Sequence, residues 1–179
     1  MHPEITQAIA RPVSPLVPRA VISGALVTLA VTTVLTFLAG GFGLMSIGVI
    51  SAENLREVGP GLGIWIGIAW IIAATVGGYV AALGAGSPMR LDGMLNGFIA
   101  WAIACVVGGS LAIAGYLLAI PVGVATADAI TAINSVAAHW GFFLADGLAA
   151  VGALVGGALG ARWEAKVEHR VYEAVPRPV

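Results

Sequence analysis

Four long apolar segments constrain the fold of this 179-residue chain more than any other feature of its sequence. A helix needs about 20 predominantly apolar residues to cross the hydrocarbon core of a bilayer. In lipid every backbone polar group must be bonded within the chain, which excludes irregular or open-sheet alternatives. The sequence therefore predicts an all-α membrane protein, a single integral domain over 1–179, with transmembrane helices at about 20–41, 62–85, 91–120 and 138–161.

Composition supports the lipid bilayer as the main surroundings of the chain. Hydrophobic residues make up 59% and charged residues only 9%, whereas about a quarter of the residues in soluble domains are charged. Eight basic and nine acidic residues give a formal net charge of -1, a balance that argues against nucleic acid as a partner. The single cysteine, Cys105, has no second thiol for a disulfide or a metal site, and we expect it to be a small core residue.

The basic residues fall mainly on one side of the predicted membrane. Residues 1–18 form an arm before the first span, and 162–179 form an amphipathic tail in which a helix is able to continue until Pro176. By the positive-inside rule both termini are predicted to be cytoplasmic. Against Arg56 alone on the other side, the cytoplasmic segments carry Arg11, Arg19, Arg90, Arg162, Lys166, Arg170 and Arg177.

The connections between spans carry their own signals. A short interfacial helix is expected between the first two spans, ending at the breaker Gly59-Pro60. Ser87-Pro88 has the residue types of a helix start, so spans two and three should be antiparallel neighbours joined by a tight turn. The third connection is able to form another surface helix. Three tryptophans near span ends are expected to anchor the interface: Trp65, Trp140 and Trp163.

Small side chains recur every three or four residues on each span and form ridges. Lipid provides no hydrophobic drive for helix association, so membrane helices gain stability from close backbone approach between such ridges. Tight helix packing through Gly, Ala and Thr is therefore predicted. The residues predicted to carry it are Gly24, Thr28, Thr32, Gly77, Gly78, Ala104, Gly108, Gly152, Gly156 and Gly160.

Spans two and four each carry two small ridges, which is more than one neighbour within a four-helix monomer would require. The surplus ridge predicts a homo-oligomer or docking on a larger membrane complex, with Gly156 on the association surface. An alternative explanation of the second ridge is that membrane helices are generally rich in glycine and alanine, whether or not they meet another molecule.

Three runs of sequence, GPGLGIWIGIAW, VGGYVAALGAGSPMRLDG and NGFIAWA, lie within residues 59–103. Together they resemble a group of small, uncharacterised bacterial multi-span membrane proteins that are sometimes labelled PhnA-like. The resemblance implies a multi-pass protein of the bacterial inner (cytoplasmic) membrane and brings no catalytic residue. In that group a histidine commonly precedes the glycine that matches Gly97, whereas this chain has Asn96.

Asp146 is an ionisable residue well inside the fourth apolar segment. Such a group is costly in hydrocarbon and normally faces protein or water. Helical spacing places it on the same face as small residues of span four, so a hydrogen-bonded tie is expected to a threonine of span one, to Tyr116 or to a tryptophan N–H. The other hypothesis is a proton or cation site in which water links Asp146 to His139, about 10 Å away along the helix.

No other pattern in the sequence points to chemistry. Metal-ligand spacing such as HExxH, a GxSxG elbow and a phosphate-binding loop are all missing from the sequence. We therefore expect no catalytic, cofactor or metal site and no enzyme. Two functions are predicted: an accessory subunit of a homo-oligomer or larger membrane complex, or alternatively an oligomeric channel or proton/cation-coupled transporter that uses Asp146.

Overall fold

The structure is a computed structural model that describes residues 16–41, 52–86, 88–119 and 136–174. Its helices are α1 Pro18–Gly41, α2 Ala52–Ala85, α3 Arg90–Ala119 and α4 Val136–Ala174. The segments long and apolar enough to cross a membrane are Pro18–Ala39, Gly63–Ala85, Arg90–Ala114 and Trp140–Val167. No strand occurs in these described ranges. The prediction of an all-α protein with four helices long and apolar enough to cross a membrane is confirmed for these ranges.

The predicted break at Gly59-Pro60 is wrong, because α2 runs through both residues as one helix of 34 residues. What was expected to be a separate interfacial helix is in part the first turns of α2. A proline lacks one amide donor and so frees one carbonyl group of the preceding turn. Membrane helices tolerate this loss because neighbouring groups and local adjustments of the helix satisfy that carbonyl. The predicted arm up to residue 15 and the surface helix of the third connection lie outside the described residues.

Two other boundaries follow the sequence. After α2, Gly86 adopts a positive φ of 63° and donates its N–H to Leu83 O at 3.2 Å. Glycine takes up this left-handed conformation easily at a helix end. The tight turn that results makes α2 and α3 antiparallel neighbours. At the other end of the chain α4 continues to Ala174, as the pattern of the tail predicted.

In the bundle α2 and α3 each contact all three other helices, while α1 and α4 lie on either side of them. At one end of the bundle Ala20 of α1 meets Gly84 of α2, and Ala82 of α2 meets Gly160 of α4. This end also carries Arg19, Arg90 and Arg162, and we call it the basic end; the opposite end is the far end. Consequently α2 and α4 run parallel to each other, and both are antiparallel to α1 and α3.

Alanine and glycine dominate the buried core. The largest fully buried side chains among the described residues are only Asn96 and Thr28. Where Gly24 of α1 faces α2, an added Cβ would lie 2.6 Å from Gly77 O, so the two backbones are nearly in contact. Such close approach is how membrane helices gain packing energy without large side chains.

Both small ridges of α4 pack within this one chain. Gly152, Gly156 and Gly160 lie against Thr75, Tyr79 and Ala82 of α2. On the neighbouring face Gly157 meets Gly93 of α3 and Ala153 meets Gly78 of α2. The inference that the Gly156 face is a surplus surface for another molecule is therefore wrong. The helix needs two ridges because it has two neighbours in the monomer.

The remaining residues predicted to pack helices differ in how they do so. Thr28 touches Gly77, Ala104 is buried and Gly108 faces Leu29. The hydroxyl groups of Thr28 and Thr32 donate to carbonyl oxygens four residues earlier in α1, at 3.0 and 2.8 Å. Thr28 therefore fills space between α1 and α2, and the hydroxyl donors of both threonines are used inside α1.

Tryptophan Trp65, predicted as an interface anchor, also joins two helices. Its Nε1 donates to Leu35 O of α1 at 2.9 Å. Trp140 and Trp163, the other two predicted anchors, are exposed, as side chains at a bilayer interface would be. The bond from Trp65 holds α1 against α2 at the far end of the bundle.

Candidate functional site

Asp146 of α4 accepts hydrogen bonds from two other helices. Trp70 Nε1 of α2 donates to Asp146 Oδ1 at 2.8 Å, and Cys105 Sγ of α3 approaches the same oxygen at 3.7 Å. The carboxylate thus joins three of the four helices. A tryptophan N–H is one of the three kinds of donor that the sequence predicts, whereas that prediction identifies neither Trp70 nor Cys105 as the donor.

Depth in the bundle explains the pairing with Trp70. Position 70 lies as far from the start of the predicted span 62–85 as position 146 does from the start of 138–161. Because α2 and α4 run parallel in contact, residues at equal depth come together, and Gly67 likewise faces Ala145. Matching depths between parallel spans was therefore the sequence signal that could have found Trp70. No comparable signal pointed to Cys105, since its depth in the predicted span 91–120, counted from the far end, does not match that of Asp146.

Beyond Asp146 toward the far end, α3 and α4 are exposed on every side. Residues 109–114 of α3 and 140–144 of α4 are exposed at each position. Successive helical residues are about 100° apart, so such runs sample the whole circumference of the helix. The two helices are therefore not packed closely against each other there. We call the space between residues 106–114 and 140–148 the outer groove.

The opposite side of Asp146, toward the basic end, is closed by backbone contact. An added Cβ on Gly97 of α3 would lie 2.6 Å from Ala153 O of α4 and 3.1 Å from Gly78 Cα of α2. Three backbones therefore meet about two turns beyond Asp146. The outer groove between α3 and α4 ends at this contact.

Two polar atoms near this point lack partners among the described residues. Both hydrogen bonds of Asp146 go to Oδ1, and none reaches Oδ2. Asp146 itself is exposed. Trp101 lies one turn before Cys105 on α3, and its buried Nε1 has no acceptor. Buried or lipid-facing polar groups are normally bonded, so the site is incompletely satisfied as it stands.

The proposed partner His139 belongs to α4, but its side chain is outside the described set, and so is that of Tyr116. A relay between His139 and Asp146 therefore stays a prediction. No group of three metal-ligating side chains occurs in the described part of the chain. The expectations of no catalytic residue and no cofactor are likewise still predictions.

A second polar contact, at the basic end, was not expected from the sequence. Asn96 of α3 is 0% exposed, and its Oδ1 accepts a hydrogen bond from Val17 N at 3.0 Å. Its amide nitrogen donates to Asp92 O at 2.8 Å. The first amide groups of a helix have no partner within that helix, and Asn96 supplies one next to the start of α1. Its role is therefore structural.

The fold and the site together define a helical protein with four helices long and apolar enough to cross a membrane, and with one carboxylate that joins three of them. Comparisons of the chain with protein-family models, with curated proteins and with solved structures each found no match. The resemblance to the PhnA-like group accordingly stays a prediction.

The bond between Trp70 and Asp146 is open to a double-mutant cycle. Asp146→Leu removes the acceptor and leaves the Trp70 N–H unpaired in hydrocarbon, so the free energy of unfolding should fall by about 1–2 kcal/mol. Asp146→Asn keeps an acceptor and should lose less. In a Trp70→Phe background the effect of Asp146→Leu should shrink by roughly 1 kcal/mol. Unfolding in mixed detergent and SDS micelles measures all four proteins; equal losses in both backgrounds would show that no tie exists.

Proposed function

We propose that this chain is a non-enzymatic integral membrane protein that works by assembly, as a packing or accessory subunit of a homo-oligomer or of a larger membrane complex. The observation that supports it is the exposed carboxylate of Asp146 at the closed end of the outer groove. A charged group at the centre of the bilayer costs at least about 2.5 kcal/mol and is normally covered by protein or water. A partner that fills the groove would provide that cover.

The proposed association surface therefore differs from the one predicted from glycine spacing. Gly156 and its neighbours are used inside the chain, whereas the stretches of α3 and α4 on either side of the outer groove carry large exposed apolar side chains. Exposed apolar residues alone are ordinary on a protein in lipid; the distinguishing feature is the single carboxylate among them. Exposed apolar residues on the two helices are Val106, Val107, Leu111, Ile113, Phe142, Phe143, Leu144 and Leu148.

The alternative function is an oligomeric channel or a proton/cation-coupled transporter. The exposure of Asp146 favours it, because an accessible carboxylate is able to take up a proton or cation. The backbone contacts among Gly78, Gly97 and Ala153 weigh against a path through one chain. A conducting path would have to run between several copies of the protein.

The proposed location is the bacterial inner membrane, with both termini in the cytoplasm. This follows from the distribution of basic residues and from the resemblance to the bacterial group. The basic end of the bundle, with Arg19, Arg90 and Arg162, would then face the cytoplasm. The outer groove and Asp146 would lie in the half of the membrane toward the periplasm.

Native purification tests the proposed function. The wild-type chain, extracted in a mild detergent and examined by native mass spectrometry, should be detected as an oligomer or in a complex with other membrane proteins. Reconstituted in liposomes, it should conduct neither protons nor cations. A chain that remains a monomer in every mild detergent and lipid nanodisc would contradict the assembly proposal. Flux that depends on Asp146 in liposomes would instead establish the alternative.

A further inference from the structure

We infer that the outer groove receives a transmembrane helix of a different membrane protein, and that a lysine or arginine of this helix pairs with Asp146. This inference rests on the proposed function, because it names the kind of partner that the assembly surface accepts. Four observations support it: the hydrogen bonding of Asp146, the positions of the basic residues, the apolar residues on either side of the groove, and the backbone contact that ends the groove toward the basic end.

The chemistry of the site calls for a donor. Asp146 receives hydrogen bonds from Trp70 and Cys105, both at Oδ1, and among the described residues no donor reaches Oδ2. An ionised carboxylate is only an acceptor. In a medium without water, the partner that best compensates it is a cationic side chain that also donates hydrogen bonds.

The described helices of the chain provide no cation at the required depth. Five of its eight basic residues lie at or beyond the basic end of the bundle: Arg19, Arg90, Arg162, Lys166 and Arg170. Arg11 and Arg177 lie outside the apolar segments. Arg56 precedes Trp70 in α2 by about 14 residues, or roughly 21 Å of helix. A second copy with the same topology has the same depths, so it would bring no cation to Asp146.

The groove matches an apolar helix with a single basic residue. Among residues 106–114 and 140–148, Asp146 is the one charged residue, and the exposed side chains include Val106, Leu111, Phe142 and Leu148. An added Cβ at Gly109 would meet no other atom within 4 Å, so this position leaves room for a neighbour. The backbone contact at Gly97 closes the groove on the side of Asp146 that faces the basic end. This contact sets the depth that the cation of the partner would reach.

Model transmembrane peptides test the charge requirement without knowledge of the natural partner. The probes are Leu/Ala helices that differ only at the central residue, which is lysine, leucine or glutamate. Each is labelled and titrated into nanodiscs that contain the protein with a fluorophore on its C-terminal tail, and binding is read by energy transfer. The lysine peptide should bind at least about tenfold more tightly than the leucine peptide, a difference of about 1.4 kcal/mol.

Changes at Asp146 should change the preference among peptides. Asp146→Asn should bring binding of the lysine peptide down to that of the leucine peptide, and Asp146→Lys should make the glutamate peptide the best of the three. The matched control exchanges Asp146→Gly with Gly147→Asp, which moves the carboxylate about 100° around α4 at nearly constant depth. Since Gly147 has open space, this protein should fold, and it should lose the preference for lysine.

Circular dichroism and elution volume confirm that each variant is folded before titration. Equal binding of the lysine and leucine peptides by the wild type would overturn the inference, and so would a lysine preference that survives the exchange. Exclusion of all peptides, by self-association or by another part of the same chain, would overturn it too. The proposed function fails separately, by purification of the chain as a lone monomer.

Discussion

Gly156→Leu is expected to lower the free energy of unfolding of the single chain by about 3 kcal/mol, the upper part of the range for overpacked interiors. A Cβ on Gly156 would collide with Thr75 O and would lie 3.0 Å from Tyr79 N. These are backbone atoms of α2, which have no rotamer to change. To fit a leucine, α4 must separate from α2 along its length, and the contacts of Gly152 and Gly160 are lost as well.

Gly147→Leu is the matched control, because it makes the same change in the same helix where nothing lies within 4 Å. Its free energy of unfolding should stay within about 0.5 kcal/mol of the wild type. Unfolding in SDS-containing mixed micelles, followed by circular dichroism, compares the two variants. If Gly156→Leu left the stability of the monomer unchanged and abolished only association, the intermolecular surface predicted from the sequence would be correct after all.

Asn96→Leu is expected to lower the free energy of unfolding by about 2 kcal/mol, since a buried group that loses its partner costs about 1–3 kcal/mol. The substitution keeps most of the volume of a side chain that is 0% exposed. However, it removes the acceptor of Val17 N–H and the donor to Asp92 O. The start of α1 should fray, because Asn96 no longer holds Val17, whose carbonyl oxygen accepts hydrogen bonds from Ala20 and Val21 in the first turn.

Hydrogen exchange separates this effect from a general loss of stability. Amides in the first turn of α1 should exchange faster in Asn96→Leu than those in the middle of α2. Ser110→Leu is the control on α3, because the Ser110 hydroxyl donates only to Val106 O of its own helix at an exposed position. That variant should retain wild-type stability and exchange. Uniform acceleration across all helices would show that Asn96 does not specifically hold α1.

The transmembrane segments could be predicted from the sequence because they depend on local composition. A run of about 20 apolar residues has to be a helix in lipid whatever surrounds it. The helix break predicted at Pro60 is wrong because a Gly-Pro pair is also only a local signal. The helical preference of the surrounding apolar segment outweighs it. The tail helix after Arg162 was predicted correctly, since nothing before Pro176 interrupts it.

The sequence by itself determined that the chain has four segments long and apolar enough to cross a membrane and that its helices carry small ridges, because apolarity and four-residue spacing are properties of each helix alone. Only the tertiary structure decided which helix each ridge meets. Gly156 faces α2 inside the chain, and Asp146 meets Trp70 and Cys105. The spacing of small residues shows which face of a helix a ridge occupies. Which other helix packs on that face depends on how the four helix axes are arranged. Because every span here is apolar and rich in small residues, no single helix carries the information that selects its partner.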